Sequence, residues 1–596
     1  MTTPNTPDAP QDANTLRGRA TGGSRGAGET ICRPATAVAM LALAVLTHLH
    51  GLGSLHIMGN GDEMVYAQIT RATAAGGHWL PLASEMPRVV NTKPPLLFWQ
   101  GIVSTDWGRR WTLLALRWPS VAWTLLTAAL AGLLAWRMTG RDAAAGMFAA
   151  VVYLSFLSTY RYGRPFLTNP PETFWAFLCC FVMVWWRPAS FRSRLLFPTL
   201  LGAIAGMALL TKSFAQLLPI GGALAWWHLR DCQWQWRRFL LRSAPGLAWT
   251  AILSLGIFSL WFVLDPHPEA IWREFVVQEN FGKLDGGRPS YLGALLWGRT
   301  SIWGLAFGWF TNAGLLAFPL AGTLIRAWQH RDEAGEEERL LWIWAAVIFL
   351  SFCIPTQRSG RYLIDAMPAI AVLMTIHWRR LLPQAFLTTL IAAAAIVLLV
   401  AWLSLLLVRQ AGGGTFSWWH WPILLAAIVI PAAGLLDRRR LSACAVPATL
   451  AAWLSISSLL TVFDAPRGVF SADTIAAAAD RVVWAPENFL AAAELQRMLL
   501  PGSRVRGYPA GQGRPAAGMA APDDLMLVVR PLAEPPPAGA IGSRLELASR
   551  HTTAQFFEMA TGRLQENLVC REWLVPAAQP GEIEHVQDAA VRAGDD

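Results

Sequence analysis

The amino-acid sequence predicts an α-helical polytopic membrane protein with a soluble α/β domain at its C-terminus. The chain has 596 residues, of which 54% are hydrophobic and 15% are charged. A soluble globular protein carries about 25% charged residues, so this composition argues against a soluble enzyme of this length. Apolar segments recur between residues 35 and 462, and residues 464–596 have a soluble composition. This change in composition predicts one large membrane domain, 34–463, followed by an accessory domain.

The N-terminal segment precedes the first apolar span. Residues 1–33 are rich in Thr, Pro, Gly and Arg, which predicts a disordered tail. The apolar segment 35–55 is long for a signal-peptide core, and no convincing cleavage site follows it, so we expect a retained helix. The seven cysteines have no metal-binding spacing, and the adjacent pair Cys179 and Cys180 is typical of buried membrane thiols.

About 13 membrane helices are predicted from the apolar spans. These spans are 35–55, 112–136, 143–160, 172–186, 196–211, 213–228, 244–264, 298–323, 340–355, 362–378, 383–408, 418–436 and 442–463. Arginine carries the orientation signal, because the chain contains only three lysines, Lys93, Lys212 and Lys283. With a cytoplasmic N-terminus, all of the strongest arginine clusters fall on the cytoplasmic side: Arg137/Arg141, Arg187/Arg192/Arg194, Arg230/Arg237/Arg238/Arg242, Arg326/Arg331, Arg379/Arg380 and Arg438–Arg440. The net charge of +10 is thus explained by loop anchoring, and no nucleic-acid partner is expected.

This topology places loops 56–111, 161–171, 265–297, 356–361 and 409–417 and the C-terminal domain on the external face, and the unusual residues lie in these loops. The first loop carries Asp62-Glu63 and Lys93-Pro94-Pro95. Residues 96–103 are apolar but too short to span a bilayer, which predicts an interfacial helix. The turn 356–361 is basic on the external face, contrary to the usual rule, and this predicts an anionic ligand.

Each candidate residue also has a structural interpretation. Asp62 could cap a helix or act on a hydroxyl group at the membrane surface. Lys93 could anchor a lipid headgroup or bind a phosphate. Glu172 follows Pro170-Pro171 at the start of a span, where the helix dipole favours a carboxylate. Lys212 lies at the external end of a helical hairpin, where it could snorkel or serve a site.

The accessory domain, 464–596, shows no catalytic constellation. Residues 471–500 are predicted to be helical, with Pro501-Gly502 ending the helix. Residues 525–529 are predicted to form a strand, and residues 531–539 a loop.

Several motifs occur in a characteristic order. They are Asp62-Glu63-x-x-Tyr66-Ala67, GHWLPL at 77–82, Lys93-Pro94-Pro95-Leu96, LLTKSFAQLLP at 209–219, FVVQENFGK at 275–283 and RSGRYLIDAMP at 358–368. This order resembles the bacterial lipid A aminoarabinose transferases. That family stands with the protein O-mannosyltransferases among the C-type, polyprenyl-phosphate-dependent glycosyltransferases. The resemblance spans about residues 35–380, and the arrangement of the motifs makes it more specific than any one of them.

The resemblance implies a C-type glycosyltransferase fold with 13 membrane helices and a periplasmic C-terminal domain. It also implies inverting transfer of a hexosyl, pentosyl or aminosugar group from undecaprenyl phosphate to an envelope acceptor, with lipid A phosphate as the first choice. The enzyme would lie in the bacterial inner membrane, with its active site on the periplasmic face. The implied catalytic residues are Asp62, Glu63 and Glu172; the implied donor-phosphate ligands are Lys93, Lys212, Arg358, Arg361 and Tyr362; further loop candidates are Tyr66, Glu279, Asn280 and Lys283.

The chain departs from the family pattern at several positions. Thr92 stands where a glutamate usually precedes Lys-Pro-Pro, and Pro289-Ser290 stand where a histidine is expected. The family's glutamate and histidine look like its metal ligands, and both are missing from this chain. No metal and no other cofactor is therefore predicted. Val65 replaces a basic residue, and Asn169 replaces the second loop's aspartate, for which Glu172 is a candidate substitute. The donor sugar and acceptor could therefore differ from aminoarabinose and lipid A.

Other classes of function remain open at this point. A transporter or flippase of lipid-linked sugars would explain the many helices. Transporters, however, usually place ionisable groups at the midplane and contain internal repeats, and neither is seen here. The acceptor could also be a protein or another glycan. A non-catalytic scaffold with a sensor domain is a third reading, which the ordered motifs do not favour.

Overall fold

In the computed structural model, every predicted apolar span contains a helix. The structure describes residues 33–57, 62–86, 90–186, 191–283, 291–297, 300–411, 416–487, 491–509, 512–516, 518–532, 534–547, 561 and 569–577. The predicted disordered tail, apart from Arg33, lies outside these residues. The helices are α1 Pro34–Leu49, α2 Asp62–Ala75, α3 Leu96–Ser104, α4 Leu113–Met138, α5 Ala143–Ser155, α6 Leu157–Tyr162, α7 Asn169–Trp185, α8 Phe191–Thr211, α9 Leu217–Asp231, α10 Trp236–Arg242, α11 Ala244–Leu264, α12 Pro268–Ile271, α13 Tyr291–Leu296, α14 Ile302–Ala313, α15 Ala317–Gln329, α16 Glu336–Cys353, α17 Met367–His377, α18 Pro383–Ala411, α19 His420–Leu436, α20 Leu441–Leu460, α21 Ala472–Ala478 and α22 Ala493–Leu499.

The chain is a multi-pass membrane protein. Within the described residues, five helical stretches are long and apolar enough to cross a bilayer: Leu113–Met138, Ala244–Leu264, Ile302–Gln329, Pro383–Arg409 and Arg438–Phe463. Helix α11 has the apolar exposed surface expected of a helix that contacts lipid, because Ile252, Val263 and Leu264 are each more than 60% exposed. Contiguous apolar exposure of this kind is unfavourable in water and is the normal surface in lipid.

Two predicted spans are divided, and the two breaks contact each other. The span predicted at 143–160 stops at Phe156, whose backbone is extended, and restarts as α6. The span predicted at 298–323 is interrupted by Gly314, which has a φ of +61°. A Cβ at Gly314 would lie 2.6 Å from the Cβ of Leu157. Glycine therefore permits both the local backbone conformation and the close approach to α6.

The segment 96–103, predicted to be an interfacial helix, forms the helix α3, while its position at the membrane interface stays a prediction. Its residues Leu97, Phe98 and Ile102 are buried, whereas Val103 is 66% exposed. The nine-residue helix packs against α2 and α4. It therefore joins the first external loop to the membrane helices, and it follows Lys93 directly.

The C-terminal domain contains a five-stranded mixed sheet. The strands are β1 Val482–Glu487, β2 Arg504–Pro509, β3 Leu525–Pro531, β4 Gly542–Leu547 and β5 Val569–Pro576, and their order is β2-β1-β3-β5-β4. Strand β1 runs parallel to β2 and β3, and β5 is antiparallel to β3 and β4. The predicted strand at 525–529 is confirmed, and so is the α/β class of the domain.

The single helix predicted at 471–500 is wrong. The segment forms α21, then β1, then α22. Asp480 adopts a positive φ of 61°, which ends the helical course, and Val482 and Val483 enter the sheet. Branched side chains pack well on a pleated sheet, and the neighbouring strands outweigh the helical propensity of the alanine run.

Candidate active site

Asp62, Asn169 and Arg361 meet although they are far apart in sequence. Asp62 begins α2, Asn169 begins α7, and Arg361 lies in the 3₁₀ segment Gly360–Ala366. The Arg361 Nη1 lies 3.0 Å from the Asp62 Oδ2, and its Nε and Nη2 donate to the Asn169 Oδ1 at 2.9 and 2.7 Å. The Asp62 side chain is 39% exposed, so its carboxylate is accessible to a ligand.

Glu63 occupies a different environment from its neighbour Asp62. It is 4% exposed and pairs with Arg117 through two bonds, at 2.7 and 2.8 Å. It also accepts from the backbone N–H of Phe166 at 2.7 Å. All of these contacts tie α2 to α4 and to the second external loop, so they favour a structural role for Glu63 over a catalytic one.

Lys93, in the loop 56–111, is held by an acidic partner from the loop 265–297. Its Nζ lies 2.6 Å from the Glu279 Oε1 and donates to the carbonyl of Thr92 at 2.8 Å. Glu279 belongs to a π-helical segment, Trp272–Asn280. Asn280 accepts a 2.6 Å bond from Ser213, one residue after Lys212. The loops 56–111 and 265–297 therefore converge beside the hairpin between α8 and α9.

Lys212 belongs to a buried polar cluster. Its Nζ lies 2.7 Å from the Glu172 Oε2, and Glu172 is fully buried. The amide of Gln216 donates to the other oxygen of Glu172 and, at 2.9 Å, to Asp365. Thr173 donates to Asp365 at 2.7 Å. Both oxygens of Glu172 are thus engaged, which fixes the position of the lysine.

The two lysines line one cavity of about 300 Å³. Glu172, Glu279, Gln216 and Tyr362 share its wall. The remaining wall is largely apolar, and it includes Phe214, Phe275, Phe281, Phe352, Ile354 and Pro355. Two cations beside an apolar surface can bind the phosphate and the chain of one amphipathic ligand. Asp62 and Arg361 are not part of its lining, but Arg361 directly precedes Tyr362 in the wall and pairs with Asp62 at 3.0 Å.

The remaining predicted residues differ in their placement. Tyr362 lies under the Lys212 ammonium, at 5.5 Å from the ring centre. Tyr66 is 5% exposed and packs edge-to-face on Phe98; burial and the charge of Asp62 raise the pKa of its phenol. Lys283 ends a 3₁₀ turn, Phe281–Lys283.

Arg358 was predicted to bind the donor phosphate, but it is bonded within the protein. It is 6% exposed and donates to the carbonyls of Cys353 and Thr300 at 2.9 and 3.0 Å. These contacts favour a role in holding the turn 356–361 in place.

Sequence reasoning missed Gln216 and Asp365. Gln216 lies inside the LLTKSFAQLLP motif, and Asp365 lies inside RSGRYLIDAMP. Asp365 is a carboxylate within a predicted membrane span, which by itself is a signal for a functional or buried polar site. Arg117 was missed in the same way, because it lies within the predicted span 112–136.

The metal prediction stays a prediction. Thr92 is described, but Pro289-Ser290 lie outside the described residues. Over the part of the chain that the structure describes, no group of three or more His, Cys, Asp or Glu residues is arranged to hold a metal ion.

The fold is that of ArnT, a polytopic membrane protein of known structure. The chain superimposes on ArnT from Cupriavidus metallidurans bound to undecaprenyl phosphate with a TM-score of 0.57 at 16% identity. This match covers 91% of this chain and 98% of the other. The apo form matches with a TM-score of 0.54 at 19% identity, covering 79% and 85% of the two chains.

The sequence comparisons agree with the structural one. The family model for dolichyl-phosphate-mannose-protein mannosyltransferases matches residues 57–266. The undecaprenyl phosphate-α-4-amino-4-deoxy-L-arabinose arabinosyl transferase 2 of Proteus mirabilis is 29% identical over 350 residues, covering 57% of this chain and 58% of the relative. The corresponding transferase of Pseudomonas aeruginosa is 31% identical over 322 residues, covering 52% and 54%. The resemblance predicted from the ordered motifs is therefore confirmed, and the chain spans little more than half the length of these relatives.

Proposed function

We propose that the protein transfers a sugar from undecaprenyl phosphate to an envelope acceptor, with lipid A phosphate as the first candidate. The observation that carries this proposal is that Lys93 and Lys212 line one and the same cavity with an apolar wall. The accessible carboxylate of Asp62 is linked to this wall through Arg361, the residue before Tyr362. A polyprenyl-phosphate sugar has the matching chemistry, an anionic group attached to a long apolar chain. The names of the similar proteins support the same donor.

The cations assist the leaving group. When the bond between the anomeric carbon and the phosphate oxygen breaks, the phosphate gains negative charge, which Lys93 and Lys212 are placed to stabilise. Attack from the opposite face of the sugar inverts its anomeric configuration. A phosphate acceptor is already anionic and needs only positioning, whereas a hydroxyl acceptor would need Asp62 as a general base.

The three cations of the site are each paired with a carboxylate. Lys93 is paired with Glu279 at 2.6 Å and Lys212 with Glu172 at 2.7 Å, while Arg361 is paired with Asp62 at 3.0 Å. An entering phosphate must therefore compete with these acidic partners. Glu279 is 24% exposed and Glu172 is fully buried, so displacing the carboxylate of Glu279 from Lys93 costs less than displacing that of Glu172 from Lys212.

The orientation and the cofactor requirement belong to the same proposal. Loops that contain arginine clusters would face the cytoplasm, which places the cavity and the C-terminal domain in the periplasm of a bacterial inner membrane. Thr92 and Pro289-Ser290 replace the expected metal ligands, so we propose that transfer needs no metal. Activity should withstand chelators, and tightly bound stoichiometric zinc would contradict this point.

A reconstituted assay tests the function. Purified protein is incubated with undecaprenyl-phosphate sugars and with lipid A, a glycan or a peptide acceptor, and the products are read by mass spectrometry. Asp62→Asn serves as the matched inactive control. Transfer to any acceptor supports a glycosyltransferase, and the acceptor modified identifies its class. Movement of the donor across liposomes without any sugar transfer would instead support a flippase.

A further inference from the structure

A network of four charged residues joins the C-terminal domain to the first external loop. We call Arg71, Glu85, Glu494 and Arg497 the α2 clamp. Arg71 in α2 donates to Glu494 in α22 at 2.8 and 3.0 Å, and to Glu85 at 2.8 Å. Arg497 in α22 lies 2.7 Å from Glu85 and 3.4 Å from Glu494. Each arginine therefore contacts both carboxylates.

The centre of the α2 clamp is buried. The Glu494 side chain is 1% exposed and that of Arg71 is 21% exposed. Burial raises the pKa of Glu494, although Arg71 and Arg497 act in the opposite direction. An ion pair of this kind depends on both partners, since removing one leaves the other charge buried and uncompensated. The exposed Glu85, at 48%, contributes less.

The domain also holds the chain on the other side of Asp62. Asp464, at the start of the C-terminal domain, accepts from the Ser54 hydroxyl at 2.8 Å and from the backbone N–H of Leu55 at 3.2 Å. The two attachments, at residues 54–55 and at Arg71, therefore bracket Asp62 in sequence. Apolar packing adds to them, because Ala491 joins the buried cluster that contains residues of α2.

The distances involved are short. Asp62 and Arg71 lie nine residues apart on one continuous helix, which corresponds to about 13.5 Å along its axis. A helix of this length moves as a rigid body, so a tilt at Arg71 displaces Asp62 relative to Arg361. Glu85 lies in the same loop, 56–111, as Lys93. The C-terminal domain therefore contacts this loop both at Arg71 in α2 and at Glu85, between α2 and Lys93.

We propose that the C-terminal domain positions Asp62 for transfer by holding α2 through the α2 clamp, with Arg71 and Glu494 as positioning residues. The catalytic consequence rests on the proposed function. The mechanical part, that the domain holds α2, does not depend on it. The accessory domain is then a part of the active-site architecture without touching the substrate.

The test compares Arg71→Gln, Glu494→Gln, the double variant and the charge exchange Arg71→Glu/Glu494→Arg in the full-length protein. Arg530→Gln is the control, since Arg530 forms a 3.9 Å surface pair with Glu534 within the same domain. Hydrogen exchange of residues 62–75 is measured without substrate. We expect at least a tenfold faster exchange in each single variant, no further increase in the double variant, and partial recovery in the charge exchange.

Kinetics then separate positioning from general destabilisation. We expect a tenfold or larger loss of kcat in Glu494→Gln, with the affinity for undecaprenyl phosphate changed less than threefold and Arg530→Gln unchanged. Unchanged exchange of α2 in Arg71→Gln and Glu494→Gln would overturn the proposal, as would normal kcat in a variant with loosened α2. If wild-type protein transfers no sugar, the proposed function falls, while the exchange measurement still decides whether the domain holds α2.

Discussion

Because Lys93 and Glu279 are paired, substitutions of the two residues should change the affinity for the donor phosphate in opposite directions. Its N–O distance is 2.6 Å, and the two side chains are 16% and 24% exposed. In Lys93→Ala the donor phosphate loses a charge-assisted hydrogen bond, typically worth about 1.5–3 kcal/mol, so donor affinity should fall roughly 10- to 150-fold. In Glu279→Gln the competing negative charge is removed, while an amide oxygen of the same reach still accepts from the lysine.

The increase in donor affinity expected for Glu279→Gln is smaller than the decrease expected for Lys93→Ala. Part of the electrostatic interaction is screened, because both side chains are in partial contact with solvent. Relief of about 1 kcal/mol corresponds to roughly a fivefold tighter binding of undecaprenyl phosphate. Lys93→Arg should recover only part of the wild-type affinity. Pro94 and Pro95 restrict the backbone beside it, and a longer, planar guanidinium cannot take the place of a compact ammonium.

Equilibrium binding of undecaprenyl phosphate to the purified protein in lipid nanodiscs measures these effects at low and high salt. The fivefold gain should shrink as salt screens the carboxylate that Gln replaces. Weaker binding by Glu279→Gln would show that the carboxylate belongs to the binding site and would refute the competition argument. Unchanged affinity in Lys93→Ala would return this lysine to the role of a headgroup anchor.

Three further predictions concern individual carboxyl groups. Asp62→Asn keeps the size of the side chain but removes its charge, so it should abolish sugar transfer at normal expression and thermal stability; wild-type turnover would end its catalytic assignment. Glu172→Gln should reduce transfer less than Asp62→Asn, because an amide oxygen still accepts from the neighbouring lysine; an equal loss would indicate that Glu172 takes over the role missing at Asn169. Burial raises the pKa of Glu572, in β5, above its ordinary value against the opposing charge of Arg544, so its contribution to stability is complete at acidic pH and is lost as the pH rises through the raised pKa. Hydrogen exchange of β4 and β5 should accordingly report a less stable domain at pH 8 than at pH 5, with a slope of at most ~1.4 kcal/mol per pH unit, and Glu572→Gln should remove most of that slope; equal slopes in both proteins would contradict it.

The loops 56–111 and 265–297 show what the order of motifs can predict and what it cannot. Lys93 was singled out from one motif and Glu279 and Asn280 from another, and the structure places all three around one cavity with Lys212. Motif order identifies such residues, but it does not pair them. The partner of Lys93 lies 186 residues away, and a contact of that separation is decided by the packing of the helices between them.

Glu63 and Arg358 show that a motif also selects residues whose contacts favour a structural role. Both lie close in sequence to other candidates, Glu63 next to Asp62 and Arg358 three residues before Arg361. Adjacent helical positions face different sides, so Asp62 is accessible while Glu63 is buried against Arg117. A linear motif does not contain this difference.

The sequence by itself determined the membrane class, the positions of the apolar helices, the short helix that follows Lys93-Pro94-Pro95 and the presence of a separate C-terminal α/β domain. Each of these depends on local composition and on the thickness of the bilayer. Only the tertiary structure decided the pairing of Lys93, Lys212 and Arg361 with carboxylates, the burial of Asp365 and the attachment of α22 to Arg71. It also divided residues 471–500 between helix and strand, because the neighbouring strands supply hydrogen bonds and packing that the segment lacks alone.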